Sequence, residues 1–440
     1  MKTLVISLAT VLAAVRPAPA QEVVTLGLAE ARQRARTLSA QVRVGIEVQA
    51  AAAARQREAG AARLPRLELS GRYARLSRTP DPSVTVPAMG TLTIGETVVD
   101  QQRLAAAVVA PLFTGFQLEN GQRAAARAAT AAEQQVNAVR EERALAAERA
   151  YWGLYQARVA RQTIAESVRL VEAHRADADR LQAAGLLIPD EVLEVEVRLS
   201  EARLRLVEAE HRAELAEAAL ALAVSLPLQV RLALSDTPTV VIAPLPPLAE
   251  LQARARAARP ELLGLRELLT GARLQAAVAR GERLPAAQVR AEYETANPNS
   301  RFFPPENRWR DSWSVGLGVT WTAWDWGLVS ERVRRAEAEA RQVEEREREA
   351  SEGVDLELLR YRLDAEAAVR RLEVAEVGVR QAALRAGILR ARFAAGTVTG
   401  TQVLDAEVAL ERARLERVGA LVDQRLAWAG LERAVGGGLR

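Results

Sequence analysis

The sequence predicts a mainly α-helical protein with a small β part, in which long antiparallel helices accompany a few membrane-facing strands. Ala, Arg, Leu and Glu dominate the 440 residues, and aromatic residues make up only 4%. This composition is typical of long helices or coiled coils. Residues 312–324 depart from it, because apolar and small polar side chains alternate there with the period of a strand. An internal duplication, described below, sets the order of these elements.

The chain begins with the features of a secretory signal peptide. Lys2 precedes an apolar run from Leu4 to Val15, and Ala18-Pro19-Ala20 offers a small-residue cleavage site. We therefore predict a leader over residues 1–20. The chain contains no cysteine, which excludes a disulfide framework, a thiolate metal site and a lipid anchor on an N-terminal cysteine. We expect no cofactor.

The stretch over residues 311–324 carries the strongest membrane signal. Its apolar face begins at Trp313 and ends at Trp321, while its other face holds only Ser, Gly and Thr between those positions. These two tryptophans lie about 26 Å apart along a strand. With a tilt of about 40° they span close to 20 Å, near the height of the apolar band of an outer-membrane barrel. The predicted aromatic girdle comprises Trp313, Trp321, Trp324, Tyr73 and Tyr293. An ordinary edge strand is the alternative.

Two copies of one unit follow the leader. Arg63-Leu64-Pro65 recurs 220 positions later as Arg283-Leu284-Pro285, and Ala184-Gly185 recurs 211 positions later as Ala395-Gly396. We therefore divide the mature chain into four parts. These are a first repeat over residues 21–225, a Pro-rich linker over 226–247, a second repeat over 248–435 and a tail over 436–440.

Each repeat has the same predicted parts in the same order. A helix of about 36 residues leads through two strands into a helical stretch of about 69 residues, a turn, and a last helix of about 36 residues. The long helix would run about 100 Å, and two short helices end to end match it. The predicted helices cover residues 28–63, 116–184, 190–225, 248–283, 327–395 and 401–435, and the predicted strands cover 66–76, 102–113, 286–296 and 311–324.

Four strands per chain carry an implication for assembly. They cannot close a membrane barrel, since natural barrels begin at eight strands. Open strand edges are not tolerated in lipid, because each unpaired backbone group costs several kcal/mol there. The chain must therefore oligomerise if it makes a pore. Two copies would give eight strands, which side chains fill, whereas three would give twelve and leave a duct.

The pattern resembles the TolC-like family of outer-membrane efflux proteins, also called outer membrane factors, over essentially the whole mature chain. The resemblance rests on the motifs at Leu64-Pro65, Pro111-Leu112-Phe113-Thr114-Gly115 and Thr322-Ala323-Trp324-Asp325-Trp326-Gly327, and on the turns at Ala184-Gly185-Leu186 and Ala395-Gly396-Thr397 with the segments that follow them. It implies a homotrimer with a twelve-stranded β-barrel in the outer membrane and a helical barrel in the periplasm.

The resemblance also implies a function without enzymatic chemistry. The trimer would be the passive exit duct of a tripartite efflux or type I secretion system. Its expected partners are outer-membrane lipid, a periplasmic adaptor (membrane fusion) protein and, through it, an inner-membrane pump, with no role for nucleic acid. The alternative is a secreted periplasmic coiled-coil scaffold or adaptor that does not span the membrane.

Matching to the family places a periplasmic gate after the second turn. The two acidic gate positions correspond to Gln402 and Asp405, so only Asp405 keeps the carboxylate. Phe393 stands at an aromatic gate position, and Val398 stands where the family has an arginine. Glu191 matches the acid of the polar latch. We therefore expect packing and Asp405 to hold the gate more than salt links between helices do. Asp405 is alternatively a first-turn acid that stabilises its helix.

The two turns themselves are predicted to dock the adaptor. The docking set comprises Gly185, Leu186, Val192 and Leu193 in the first repeat, and Gly396, Thr397, Val403 and Leu404 in the second. Two isolated histidines, His174 and His211, are expected on solvated helix faces, and Trp152 is expected in packing.

Overall fold

The computed structural model describes residues 23–87, 89–95, 97–185, 188–241, 244–395 and 397–437. The predicted leader lies outside the described residues. So do Leu186 and Gly396 of the predicted docking turns and the last three residues of the predicted tail.

The helices repeat in length between the two halves. The first half contains α1 (Leu28–Leu38), α2 (Ala40–Ala61), α3 (Gln117–Ala183) and α4 (Pro189–Ala223). The second half contains α5 (Leu248–Ala258), α6 (Pro260–Gly281), α7 (Leu328–Ala394) and α8 (Gly400–Val435). Both α3 and α7 have 67 residues, so each runs about 100 Å. The prediction of a mainly helical protein with a small β part is confirmed.

The first helix of each half was predicted to be continuous and is instead broken in two. The backbone leaves the helical region at Ser39 (ψ 137°) and at Arg259 (ψ 120°). Arg259 precedes Pro260, whose ring disfavours the helical conformation of the residue before it. Ser39 has no such neighbour, but serine is favoured at the position just before a helix starts.

Four strands form one antiparallel sheet in the order β2-β5-β7-β8. They are β2 (Arg66–Arg75), β5 (Asp100–Phe113), β7 (Ala286–Asn297) and β8 (Arg310–Thr320). The two halves therefore meet where β5 pairs with β7, and β2 and β8 form the two edges of this open sheet. The predicted fourth strand was too long: β8 ends at Thr320, so Trp321 and Trp324 lie beyond it.

Two small strand pairs were not predicted. A hairpin of β3 (Ser83–Val86) and β4 (Gly90–Thr93) lies between β2 and β5. The other pair joins β1 (Val23–Leu26) in parallel to β6 (Arg231–Leu234), which lies in the predicted linker. Four-residue strands such as these leave little periodic signal in a sequence.

Polar side chains hold the linker against the helices, among them Glu217 and Gln424. The Glu217 carboxylate of α4 accepts a hydrogen bond from the Leu232 N–H at 2.7 Å. The Gln424 side chain of α8 accepts from the Val241 N–H at 3.2 Å and donates to its carbonyl at 3.3 Å. Gln424 is almost completely buried, so these hydrogen bonds satisfy an amide that would otherwise be costly to bury.

The main hydrophobic cores lie near the middle of the helices. One core packs Trp152 of α3 with Leu220 of α4 and Leu232 of the linker, which confirms the packing role predicted for Trp152. The second joins Leu251, Leu358 and other residues of α5, α6, α7 and α8. Within the described residues, no helix is both long and apolar enough to cross a bilayer.

Two glycines bring the halves into direct backbone contact below the sheet. Gly115, before α3, has φ +63°, and Gly281 is the last residue of α6. A Cβ built on either residue would lie 2.3 Å from the other's carbonyl oxygen. Only glycine permits this approach. By contrast, Trp326 occupies the equivalent position before α7 in the second half, and its side chain is exposed.

Helix packing shows the same asymmetry between the halves. The long helix α3 contacts α2 from its own half and α6 from the other, and α6 also contacts α7. In the described part of the chain, α7 has no comparable contact with α2. The α2 residues Val44 and Val48 and the α7 residues Leu356 and Leu363 are correspondingly exposed.

Candidate functional site

The four-stranded sheet has one apolar and one polar face, and the apolar face is the exposed one. The cross-strand register aligns Leu69 of β2 with Ala106, Tyr293 and Trp313 on the neighbouring strands. Neighbouring rows continue this face with Leu67, Leu104, Val108, Val315, Leu317 and Val319, all of them exposed. An exposed apolar surface of this extent is unusual for a soluble domain and marks contact with a partner or a membrane.

The aromatic residues predicted for the girdle lie around this apolar face. Tyr293 and Trp313 are cross-strand partners in one row. Tyr73 donates a hydrogen bond to the Asp100 carboxylate at 2.8 Å, so its hydroxyl marks a polar edge. Trp321 lies past the other end of β8 and donates to the Arg283 carbonyl at 3.1 Å. Trp324 is exposed nearby and packs edge to face against Trp326.

At the opposite end of the molecule, the two helix-to-helix turns approach each other. Gly185, with φ +72°, ends the first long helix, and Pro189 occupies the first turn of α4. In the second half Thr399 is the N-cap of α8. Proline is favoured at a helix start because the N–H that it lacks has no partner there, and glycine is favoured after a helix end because it adopts positive φ without strain. We call this end of the molecule the tip.

Gln402, which stands where the family has an acid, caps its own helix. The Thr399 side chain accepts from the backbone of the third helical residue, and the Gln402 side chain accepts from the Thr399 N–H at 3.4 Å. This reciprocal capping box satisfies two backbone donors at the start of α8. Glutamine serves the capping box without adding a negative charge.

Asp405, predicted to help hold the gate, forms an ion pair with a neighbouring helix. Its carboxylate lies 3.6 Å from the Arg198 guanidinium of α4. The two side chains are 59% and 40% exposed, respectively. Two residues further along α8, Glu407 pairs with Arg390 of α7 at 2.8 Å. Asp405 is thus exposed to solvent but already has a cationic neighbour.

Phe393 packs against a residue expected at the surface. Its ring meets the His174 imidazole edge to face, with 5.7 Å between centroids. His174 is half-buried, so the expectation of a solvated side chain was wrong, whereas His211 is exposed. Burial lowers the pKa of His174, and the carboxylates of Asp177 and Glu407 partly offset this effect.

Glu191 lines the same small cavity between the tip helices as His174 and Phe393. Thr399, Thr401 and Leu404 complete much of the wall. No hydrogen bond or ion pair joins Glu191 to another described residue. The cavity therefore brings Phe393 and Glu191 together, while Asp405 lies outside it.

Sequence reasoning missed the link between Glu194 and Thr401. The Thr401 hydroxyl donates to the Glu194 carboxylate at 3.3 Å and so joins the second half to the first. The repeat offset of 211 contained the signal, because it pairs Glu194 with Asp405 and Glu191 with Gln402. Each half therefore presents an acid at the same point of its turn.

Three of the predicted docking residues are buried and cannot contact an adaptor directly. Val192, Val403 and Leu404 are 6%, 0% and 3% exposed. They face inward because apolar side chains at these positions pack the tip helices together. Leu193 is exposed, as are Gly185 and Thr397. The accessible part of the predicted docking set is therefore smaller than the sequence suggested. In the described chain, no group of three or more His, Asp or Glu could hold a metal ion.

Comparison with known proteins agrees with this architecture. Residues 251–437 match the family model described as outer membrane efflux protein. This match confirms the resemblance to the TolC-like outer-membrane efflux family. No curated protein sequence matches the chain.

Several solved structures share the fold of nearly the whole chain. The outer-membrane channel OprN superposes with a TM-score of 0.77 at 19% identity, covering 93% of this chain and 90% of its own. The CmeC outer membrane channel of Campylobacter jejuni gives a TM-score of 0.79 at 15% identity, covering 93% and 86%. The outer membrane protein VceC of Vibrio cholerae gives 0.76 at 18% identity, covering 94% and 97%.

Proposed function

We propose, from the match of residues 251–437 to the outer membrane efflux protein family, that this chain forms the outer-membrane exit duct of an efflux system. The duct would conduct solutes passively from the periplasm to the outside. The observation that supports this most is the sheet, whose apolar face is exposed while its charged face is partly shielded. A soluble sheet buries its apolar face instead.

A homotrimer follows from the repeat. Inside one chain, β5 of the first half pairs with β7 of the second half. By equivalence of the halves, β8 would pair with β2 of the next copy, and α7 would pack on the next copy's α2. Three copies would then close a barrel of twelve strands and leave no open edge in lipid. The exposed valines Val44 and Val48 on α2 support this packing.

We further propose that the tip is the periplasmic gate. In a trimer, one Asp405 per chain would place three carboxylates around the entrance, which would attract cations. Phe393 and Glu191 would contribute from the cavity behind it, and Gln402 would fix the start of α8. The exposed turn residues Gly185, Leu193 and Thr397 would form the docking surface for a periplasmic adaptor coupled to an inner-membrane pump.

A pair of substitutions on β8 tests whether the sheet lies in lipid. Leu317→Arg places a charge on the apolar face, and Ser314→Arg places the same charge on the polar face. At the middle of a bilayer, an arginine on the lipid face costs about 2–4 kcal/mol, whereas lumen positions tolerate it. We expect Leu317→Arg to reduce recovery from the outer-membrane fraction, and Ser314→Arg to leave it near wild type.

The companion measurement is single-channel conductance of the purified mature protein in a planar lipid bilayer. The mass of the protein assembly in detergent gives the number of chains. Steady openings from a species of three chains would support the duct. If both arginine variants matched the wild type and the protein stayed in the soluble periplasmic fraction, the chain would instead be a coiled-coil scaffold. Leu317 is exposed, so a soluble protein would tolerate its replacement.

A further inference from the structure

Charged residues on the polar face of the sheet lie in three bands that cross the strands. Furthest from the helices, Arg72 of β2 is the Cα partner of Arg103 of β5, and Arg310 occupies the same row on β8. The next two rows carry the glutamates Glu294, Glu292 and Glu68. The row nearest the helices carries Arg290 and Arg66. The bands thus run positive, negative, positive along the sheet.

The glutamates are covered by arginine side chains. Arg103 donates to Glu294 at 2.5 Å and also to Glu292. Arg290 lies 2.9 Å from Glu292 and 3.5 Å from Glu68. Glu292 and Glu294 are only 15% and 14% exposed, whereas Arg103 and Arg290 are each 49% exposed. The side chains that meet solvent on this face are therefore mainly cationic.

Arg72 is the cation of these bands with no partner. Neither a hydrogen bond nor an ion pair joins it to any described residue, while Arg66, Arg103, Arg290 and Arg310 each have an acidic partner. Five arginines face three glutamates on the four strands, an excess of two positive charges per chain. Copies of the same face would add further excess charge, not neutralise it.

A cavity accompanies the unpaired charge. It has a volume of about 490 Å³ and is lined by Arg72, Arg103 and Arg301, by Glu292 and Glu294, which Arg103 pairs with, and by neutral polar residues that include Ser312, Ser314 and Gln102. Guanidinium groups beside hydroxyl and amide donors are the chemistry that recognises carboxylate and phosphate oxygens. The volume is within the range of small-molecule sites.

We infer that this outer cavity binds anionic groups of solutes, phosphates or carboxylates, and that Arg72 sets this preference. The inference rests on the proposed duct, because the polar face lines a lumen only if the sheet is part of a barrel. The duct would then have opposite filters in series: an acidic entrance at Asp405 and a basic outer end at Arg72. Multivalent anions would be held most strongly, since several arginines converge there.

Block of single channels by inorganic pyrophosphate tests this site. The full mature protein is used. Pyrophosphate is added either on the side of the bilayer where the β3–β4 hairpin lies, which we call the loop side, or on the side of the tip. We expect block from the loop side at lower concentration. Arg72→Gln should raise the half-blocking concentration about tenfold, if three copies each lose one contact of ordinary exposed strength. Arg72→Lys should keep part of the block.

Arg75→Gln is the matched control. It removes the same charge from the same strand, but Arg75 lies on the opposite face near Asp100, at 3.9 Å. Its half-blocking concentration should stay within about twofold of the wild type, because it does not face the cavity. Equal block in Arg72→Gln and wild type, or block from the tip side alone, would overturn the site and leave the duct standing. Absence of channels in every variant would reject the duct and the site together.

Discussion

The contact between Asp405 and Arg198 predicts that Arg198 keeps the tip closed. The two charges belong to different halves of the chain and lie 3.6 Å apart. Replacing Arg198 with alanine would remove the only inter-helix ion pair that Asp405 makes in the described structure. In a trimer it would also leave three uncompensated carboxylates near one another, which repel. We therefore expect Arg198→Ala to favour the open tip.

The size of the effect follows from exposure. Both side chains are well exposed, and an ion pair of this kind contributes about 0.5 kcal/mol, in the middle of the range for surface pairs. Three equivalent pairs that break together would contribute about 1.5 kcal/mol, or about a tenfold change in the open-to-closed ratio. High salt should shrink the difference, because exposed charges are screened.

The assay is open probability in planar bilayers at low and at physiological ionic strength, measured for Arg198→Ala, Asp405→Ala and the double variant. Arg212→Ala is the control, since Arg212 lies on the same helix but pairs within it, with Glu208 at 3.4 Å. Asp405→Ala should also weaken cation preference and block by multivalent cations, while Arg198→Ala should not.

The ion pair predicts that the effects of Arg198→Ala and Asp405→Ala on opening are not additive. If the effects of the two single substitutions on opening simply added in the double variant, the ion pair would not contribute to closure. If Asp405→Ala left ion selectivity unchanged, Asp405 would not face the pore.

Three further predictions concern stability. Because the folded-state pKa of His174 is lowered, the unfolded state binds more protons than the folded state. Acidification below about pH 6.5 should therefore loosen the tip. Hydrogen exchange of the turns should show this loosening in the wild type and much less of it in His174→Gln. Gly281→Ala should lower Tm, because the clash with the opposing backbone costs about 1–3 kcal/mol. The control is Gly153→Ala on α3, where the added Cβ enters open space, and it should be neutral or stabilising by about 0.5–1 kcal/mol. Equal Tm values for the two variants would refute the close contact. Gln424→Leu should free the linker at Val241 and speed its proteolysis, with a loss of about 1–3 kcal/mol from unsatisfied buried groups.

Periodicity and duplication predicted the large elements well. The long helices and the four main strands have strong periods, and the repeat offset tied the second half to the first. The breaks at Ser39 and Arg259 were missed, although Pro260 was a visible reason for one of them. The end of β8 was placed too late because the alternation of apolar and polar residues continues through Trp321, Thr322 and Ala323, past the last paired residue, Thr320.

The tip was predicted by position but not by contact. The sequence placed Asp405 and Phe393 in one neighbourhood, yet their partners Arg198 and His174 come from the other half. Such pairs depend on how helices from the two halves pack side by side, and the periodicity of each helix does not contain that information. Burial of Val403 was likewise invisible, since an apolar residue beside a turn suits both a core and a docking surface.

The contact between Gly115 and Gly281 has a consequence for how such an assembly could arise. A ring of three chains contains six seams between repeats, and the linker makes half of them intramolecular. At those seams one repeat meets the next at the high effective concentration of a tethered partner, as the glycine contact and the β5–β7 pairing illustrate. The equivalent seam at the start of α7, open in the single chain, must wait for collision with another molecule. Six unfused repeats would need five such encounters to assemble the ring, whereas three fused chains need two, so fusion removes three steps that depend on protein concentration.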